Sequence, residues 1–132
     1  MHPLVNTAIS AARDAGEIIN RYAQQLDRLK VREKSKNELV SEVDLKAEQA
    51  IIYCLKKAYP SHAIMAEESG FSASGSESES DEYTWIIDPL DGTTNFIHGF
   101  PHYCVSIALK YKSRVEHAVI FDPVRKECFS AS

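Results

Sequence analysis

A short apolar run that stops on an acid-proline pair sets the tightest limit on what this chain can fold into. Trp85-Ile-Ile87 has the composition of a buried strand and gives way at once to Asp88-Pro89. Proline fixes φ and has no backbone donor, so the sheet ladder is expected to stop there, with a carboxylate just past a buried strand end. The chain continues Leu90-Asp-Gly-Thr-Thr-Asn-Phe96. That spacing suits a tight turn bringing Asp88 and Asp91, with the Leu90 carbonyl between them, around one hard cation. Gly92 would let the backbone approach a bound group, while Thr93 and Thr94 would open a short helix whose first N–H groups face an anion. Asp-Pro and Asp-Gly are also ordinary turn signals, so on residue chemistry alone a plain surface turn stands beside a metal site.

The flanking sequence supplies a scaffold. Leu4, Ala8, Ala12, Ala15, Ile19 and Tyr22 recur at helical spacing, which predicts an amphipathic helix over residues 4–24 with Pro3 at its start. Leu29 and Val31 alternate with Lys30 and Arg32 as a short edge strand, and Lys34-Ser-Lys-Asn37 is a turn of basic character. Ser41, with Asp44 three residues on, has the spacing of a helix N-cap ahead of a second helix carrying Ala47, Ile51, Cys54, Leu55 and Ala58. Tyr59-Pro60 ends that helix, and Ala63–Ala66 is a strand leading into Glu67-Glu68. Residues 72–82 are almost all serine and acid, which predicts a mobile acidic loop. Beyond a short helix ending near Gly99 and Pro101, three alternating stretches around Tyr103–Leu109, Val115–Phe121 and Glu127–Ala131 predict an antiparallel meander. The fold class is therefore α+β, an antiparallel sheet backed by two long helices.

The string from Trp85 through His98, with Asp-Pro-hydrophobic-Asp-Gly-Thr intact, resembles the signature of the inositol monophosphatase family, a branch of a lithium-sensitive, metal-dependent phosphatase superfamily. Leu39-Val-Ser-Glu-Val-Asp44-Leu-Lys-Ala-Glu48 is similar to the family's second block, and Glu67-Glu68 to its acidic pair, with Ala66 where many members have glycine. The resemblance implies a layered fold of which residues 1–132 form the first, metal-binding domain, incomplete at its C-terminal edge. It also implies hydrolysis of myo-inositol monophosphate or a similar polyol phosphate by a metal-activated water. Two or three Mg²⁺ ions are implied, Mn²⁺ being an alternative, with Glu67, Asp88, Leu90 and Asp91 as ligands. Thr93 and Asp44 would activate the water together with Glu67, while Gly92, Thr93 and Thr94 would hold phosphate and Glu68, Lys34 and Lys36 would support the site. Family members are about twice this length, so the fragment alone is expected to be inactive, lacking a carboxylate and most substrate contacts. Nucleotide 3′-phosphatase, fructose-1,6-bisphosphatase or a protein-interaction role with the transcription elongation machinery in antitermination are the alternatives the resemblance carries, and homodimers are common in the family.

Composition trims these options. A net charge of -4, from 19 acidic and 15 basic residues interspersed, gives no basic field for nucleic acid. Cys54, Cys104 and Cys128 are an odd number in apolar surroundings, as for reduced thiols of a cytoplasmic protein. No signal segment opens the chain, and no stretch reaches the ~20 apolar residues of a membrane span. His98 and His102 flank a turn expected near the proposed site, but a carboxylate-carbonyl set suits Mg²⁺ whereas imidazoles argue for softer ions.

Overall fold

A computed structural model describes residues 2–29, 31–35, 38–72 and 82–132. Helix α1 (Pro3–Ala23) begins with proline in its first turn, and the His2 ring nitrogen accepts the Leu4 amide at 3.1 Å. Its stripe of Val5, Ala8, Ala12, Ala15 and Ile19 is buried. Small residues on that stripe bring the helix close to the sheet: a Cβ on Gly16 would lie 2.5 Å from the Phe121 ring. After a single 3₁₀ turn (Leu26–Arg28), β1 (Val31–Ser35) pairs antiparallel with β2 (Glu38–Ser41) as a separate hairpin. Thus the edge strand expected near Leu29 starts two residues later, because Leu26–Arg28 closes a turn first.

Helix α2 (Glu42–Ala58) starts on a complete capping box between Ser41 and Asp44. It buries Val43, Ala47, Ile51 and Leu55, each apolar side chain of Ile or Leu size contributing roughly 1.5–3 kcal/mol relative to exposure. The remaining strands are β3 (Ala63–Ala66), β4 (Gly70–Ser72), β5 (Tyr83–Asp91), β6 (Cys104–Tyr111), β7 (Arg114–Asp122) and β8 (Glu127–Ala131), with helix α3 (Thr93–Ile97) between β5 and β6. Strands β3 to β8 form one sheet in the order β4-β3-β5-β6-β7-β8. The expected meander is β6-β7-β8, and the α+β class with two long helices holds. One pair departs from the antiparallel rule: β3 and β5 run parallel, with Ala66 opposite Ile87.

Both long helices cover one face of this sheet, α2 against β5 and α1 against β6 and β7. Trp85, Ile87, Ile107, Leu109 and Val119 point into that core. On the other face Met65, Ile120 and Phe129 are exposed. No helix among the described residues is long and apolar enough to cross a membrane.

Two expectations need correction. Strand β5 does not end at Asp88: Asp88 pairs with Ser106 and Asp91 pairs again with Cys104. Pro89 interrupts the ladder as its missing N–H requires, but two residues of β5 bulge out against one of β6 and pairing resumes. The strand end is therefore a bulge. The acidic stretch expected to be mobile lies, at residues 73–81, outside the described residues; Ser72, placed in it from sequence, closes β4.

Candidate active site

The parallel pairing of β3 and β5 brings two acids together. The Glu67 amide donates to the Ile87 carbonyl at 3.1 Å, which sets Glu67 beside the C-terminal end of the neighbouring strand where Asp88 follows. Their side chains meet as a hydrogen-bonded pair, and Asp91 lies near enough to add its charge. Burial first, then the contact with Glu67 and the charges of Glu67 and Asp91, push the Asp88 carboxyl up to about 8; the Leu90 backbone N–H works in the other direction. A carboxyl pair can share a hydrogen bond only if one member holds a proton. The second Asp88 oxygen, Oδ1, is buried with no hydrogen-bond partner.

An orphaned carboxylate oxygen beside two further acids is the donor chemistry of a hard cation site. Among the described residues, however, no three His, Cys, Asp or Glu side chains are drawn tightly enough to hold a metal ion. The acids converge as a pair with a third nearby, and the Leu90 carbonyl adds a neutral oxygen beside them. That carbonyl lies 3.1 Å from the Thr93 hydroxyl.

Thr93 links this cluster to α2. Its hydroxyl sits 2.6 Å from Asp44 Oδ2, bridging side chains 49 positions apart in the chain. A hydroxyl has one proton, and the shorter, charge-assisted bond to Asp44 takes it. The other Asp44 oxygen, Oδ1, accepts the Ser41 amide at 2.7 Å and the Ser41 hydroxyl at 2.5 Å. Asp44 is 4 % exposed, so both oxygens are fixed. Asp44 thus caps α2 with one oxygen and meets Thr93 with the other.

Gly92 precedes α3 with φ +106°. A Cβ there would lie 2.9 Å from the His102 carbonyl oxygen and 3.0 Å from Tyr103 Cβ, so the backbone requires glycine for both conformation and space. Replacement by alanine is expected to destabilise the protein by about 1–3 kcal/mol, read as a lowered thermal midpoint; an unchanged midpoint would show that the turn relaxes freely. Phe96 makes the first helical amide bond, to the Gly92 carbonyl at 2.9 Å. The amides of Thr93 and Thr94 precede it in the first turn, where intrahelical acceptors are lacking. His98 does not reach the acids: its Nδ1–H donates to the Thr94 carbonyl at 2.8 Å.

The other residues singled out from sequence are less central. Glu68 follows Glu67 in the turn after β3, Lys34 lies on β1, and Lys36 falls outside the described residues. Asp91 and Gly92 line a cleft of about 370 Å³ with Asn95, Tyr103 and Cys104. A larger hollow of about 640 Å³ lies between α1 and the β7–β8 turn, but none of the clustered acids line it. Sequence reasoning passed over Glu48, whose side chain is 1 % exposed. The available signal was an acid beside Ala47 on the buried stripe of α2, one helical turn after Asp44.

Comparison with known proteins gives a consistent result. The chain is 58% identical over 132 residues to the Nus factor SuhB of Pseudomonas aeruginosa, covering 100% of this chain and 48% of that protein. Its fold matches the crystal structure of the extragenic suppressor protein suhB from Bartonella henselae with a TM-score of 0.94 at 37% identity, over 99% of this chain and 49% of the other. Against the inositol monophosphatase of Anabaena the TM-score is 0.77 at 34% identity, over 98% and 43% of the two chains. The chain thus spans about half the length of the relatives it matches. The inositol monophosphatase family profile matches residues 1–132, and with that match, the fold and these relatives, the chain belongs to the inositol monophosphatase family.

Proposed function

We propose that this chain carries the water-activating half of a Mg²⁺-dependent phosphomonoesterase acting on myo-inositol monophosphate or a similar small polyol phosphate. The observation that carries the reading is the Thr93 hydroxyl bound to the buried Asp44 carboxylate at 2.6 Å, next to the Asp88–Glu67 pair. Glu67, Asp88, Asp91 and the Leu90 carbonyl would hold Mg²⁺, with Mn²⁺ as an alternative. Bound there, the ion supplies charge neutralisation for the phosphate and a more acidic water.

The chain's own residues handle the proton. Thr93 Oγ1 takes a proton from the water through a lone pair as it passes its own proton to Asp44 Oδ2, so the water is left as hydroxide and Asp44 as the carboxylic acid. The Ser41 bonds hold the opposite oxygen and so keep Asp44 Oδ2 aimed at Thr93. Amides of Gly92, Thr93 and Thr94 offer donors to an anion at the start of α3. None of these residues is a favoured covalent nucleophile, so direct displacement by water is the step they suit. Phosphate release from inositol monophosphate, fructose 1,6-bisphosphate and a nucleotide 3′-phosphate, measured with Mg²⁺ on a longer protein containing this chain, tests the reading. Release fastest from the inositol ester is expected, with little from residues 1–132 alone; silence with all three substrates would end it.

A second reading rests on the similarity to the Pseudomonas aeruginosa Nus factor SuhB: association with the transcription elongation machinery. Such binding should survive Asp88→Asn in a pull-down, whereas phosphatase activity should not. The three cysteines, all free, fit a reducing cytoplasm. A homodimer is part of the same proposal, and sedimentation would reveal it.

A further inference from the structure

Glu48 is an acid in the wrong place for a surface residue. It sits on the buried face of α2 one turn after Asp44, and its two oxygens collect three donors from a single turn of chain. Oε1 accepts the Glu68 amide at 2.8 Å, and Oε2 accepts the Ser69 amide at 2.9 Å together with the Ser69 hydroxyl. These are the two residues that follow Glu67. On the other side, the Glu67 amide is fixed to β5 through the Ile87 carbonyl at 3.1 Å. The backbone that carries the Glu67 carboxylate is therefore bracketed, by the sheet before it and by Glu48 after it.

Burial of an acid among Ala47, Ile51 and Leu55 is unfavourable unless its oxygens are fully used. A neutral residue would pack against the core more cheaply, yet would leave two amides of the turn without acceptors. The same face of one rigid helix thus grips both walls of the site: Asp44 holds Thr93, and Glu48 holds the turn behind Glu67. We propose that Glu48 is a positioning residue, whose carboxylate locks the Glu68–Ser69 turn so that Glu67 stays presented to Asp88 as a cation ligand. The proposal rests on the metal-dependent reading given above and adds to it the residue that sets the ligand's orientation.

Glutamine at this position keeps the size but turns one acceptor into a donor that faces an N–H. Direct Mn²⁺ binding, followed by the loss of free-ion signal in electron paramagnetic resonance, reads the effect without substrate. Glu48→Gln is expected to weaken Mn²⁺ binding about 10-fold or more, the usual consequence of losing a group that orients a metal ligand. Ser69→Ala, which removes one donor and disturbs nothing else in the core, should weaken it a few-fold and serves if the glutamine variant folds poorly. Asn20→Ala removes a half-buried hydrogen bond to the Pro123 carbonyl, 3.0 Å away, but touches no part of the Glu67 turn, and should bind Mn²⁺ as the unaltered protein does. Equal Mn²⁺ affinity in Glu48→Gln, or in Ser69→Ala where that variant stands in, overturns the proposal, as does an equal loss in Asn20→Ala. An unaltered protein that takes up no Mn²⁺ overturns the metal-dependent reading itself, and this proposal with it.

Discussion

If the proposed activity holds, Asp44→Asn is expected to lower phosphate release by about 10² to 10⁴ in a longer protein containing this chain, the range associated with losing a positioned proton acceptor. Asparagine is nearly the same shape, so the effect isolates charge and hydrogen-bond direction. Its carbonyl oxygen can still accept from Ser41, which preserves most of the helix cap. Its amide, turned towards Thr93, is a donor where the carboxylate was an acceptor. The Thr93 proton must then turn to the Leu90 carbonyl, already 3.1 Å away, and the hydroxyl can no longer relay a proton to α2. Ser41→Ala provides the contrast: it should cost about 1 kcal/mol through the lost cap, while the Ser41 amide keeps Asp44 Oδ1 in place and activity stays within a few-fold. Paired phosphate-release assays and thermal melts separate the two. Similar losses of activity in both variants would assign Asp44 to the cap alone.

Asp88→Asn should make the cation-free protein more stable at alkaline pH while removing its activity. In the unfolded chain Asp88 ionises near its ordinary value of 3.8, whereas in the folded protein it keeps a proton until about 8. The folded state therefore binds more protons between those limits, and stability contributed by this group falls as pH rises through the window. Below pH 4 the variant and the unaltered protein should melt together. Above pH 8, in chelator, the variant should melt higher by roughly a few degrees, an effect tempered because solvent still reaches part of the site. Added Mg²⁺ should reverse the order, since a cation that binds only the folded, ionised site stabilises it and asparagine gives it little to bind. A melting difference independent of pH would show that Asp88 ionises normally.

Much of this architecture could be inferred from local pattern. The stripe from Ala8 to Ile19, the Ser41–Asp44 cap and the alternation through β6, β7 and β8 are each decided by residues a few positions apart, and each formed where expected. What escaped was non-local. The parallel contact of β3 with β5 depends on a register between segments some twenty residues apart, and no periodicity reports it. Strands β2 and β4 are too short to show a period. The bulge at Pro89 arises because pairing with β6 resumes at Asp91, which depends on Cys104 and not on the local turn signal. Within the site, Glu67, Asp88, Asp91 and Thr93 were recognisable as a set of acids and a hydroxyl from the motif, but the side-by-side placement of Glu67 and Asp88 follows only from the parallel pairing of β3 with β5. Glu48 was missed because an acid one turn from another acid ordinarily faces solvent, and only the position of the Glu68–Ser69 turn supplies its partners.

The spacing of the two paired acids is thus set where β3 and β5 lie side by side, by ladder bonds before Glu67 and by the turn directly after it, and not by the more distant part of the chain that joins those strands. A change between β4 and β5 that leaves this pairing intact would leave the two acids facing each other.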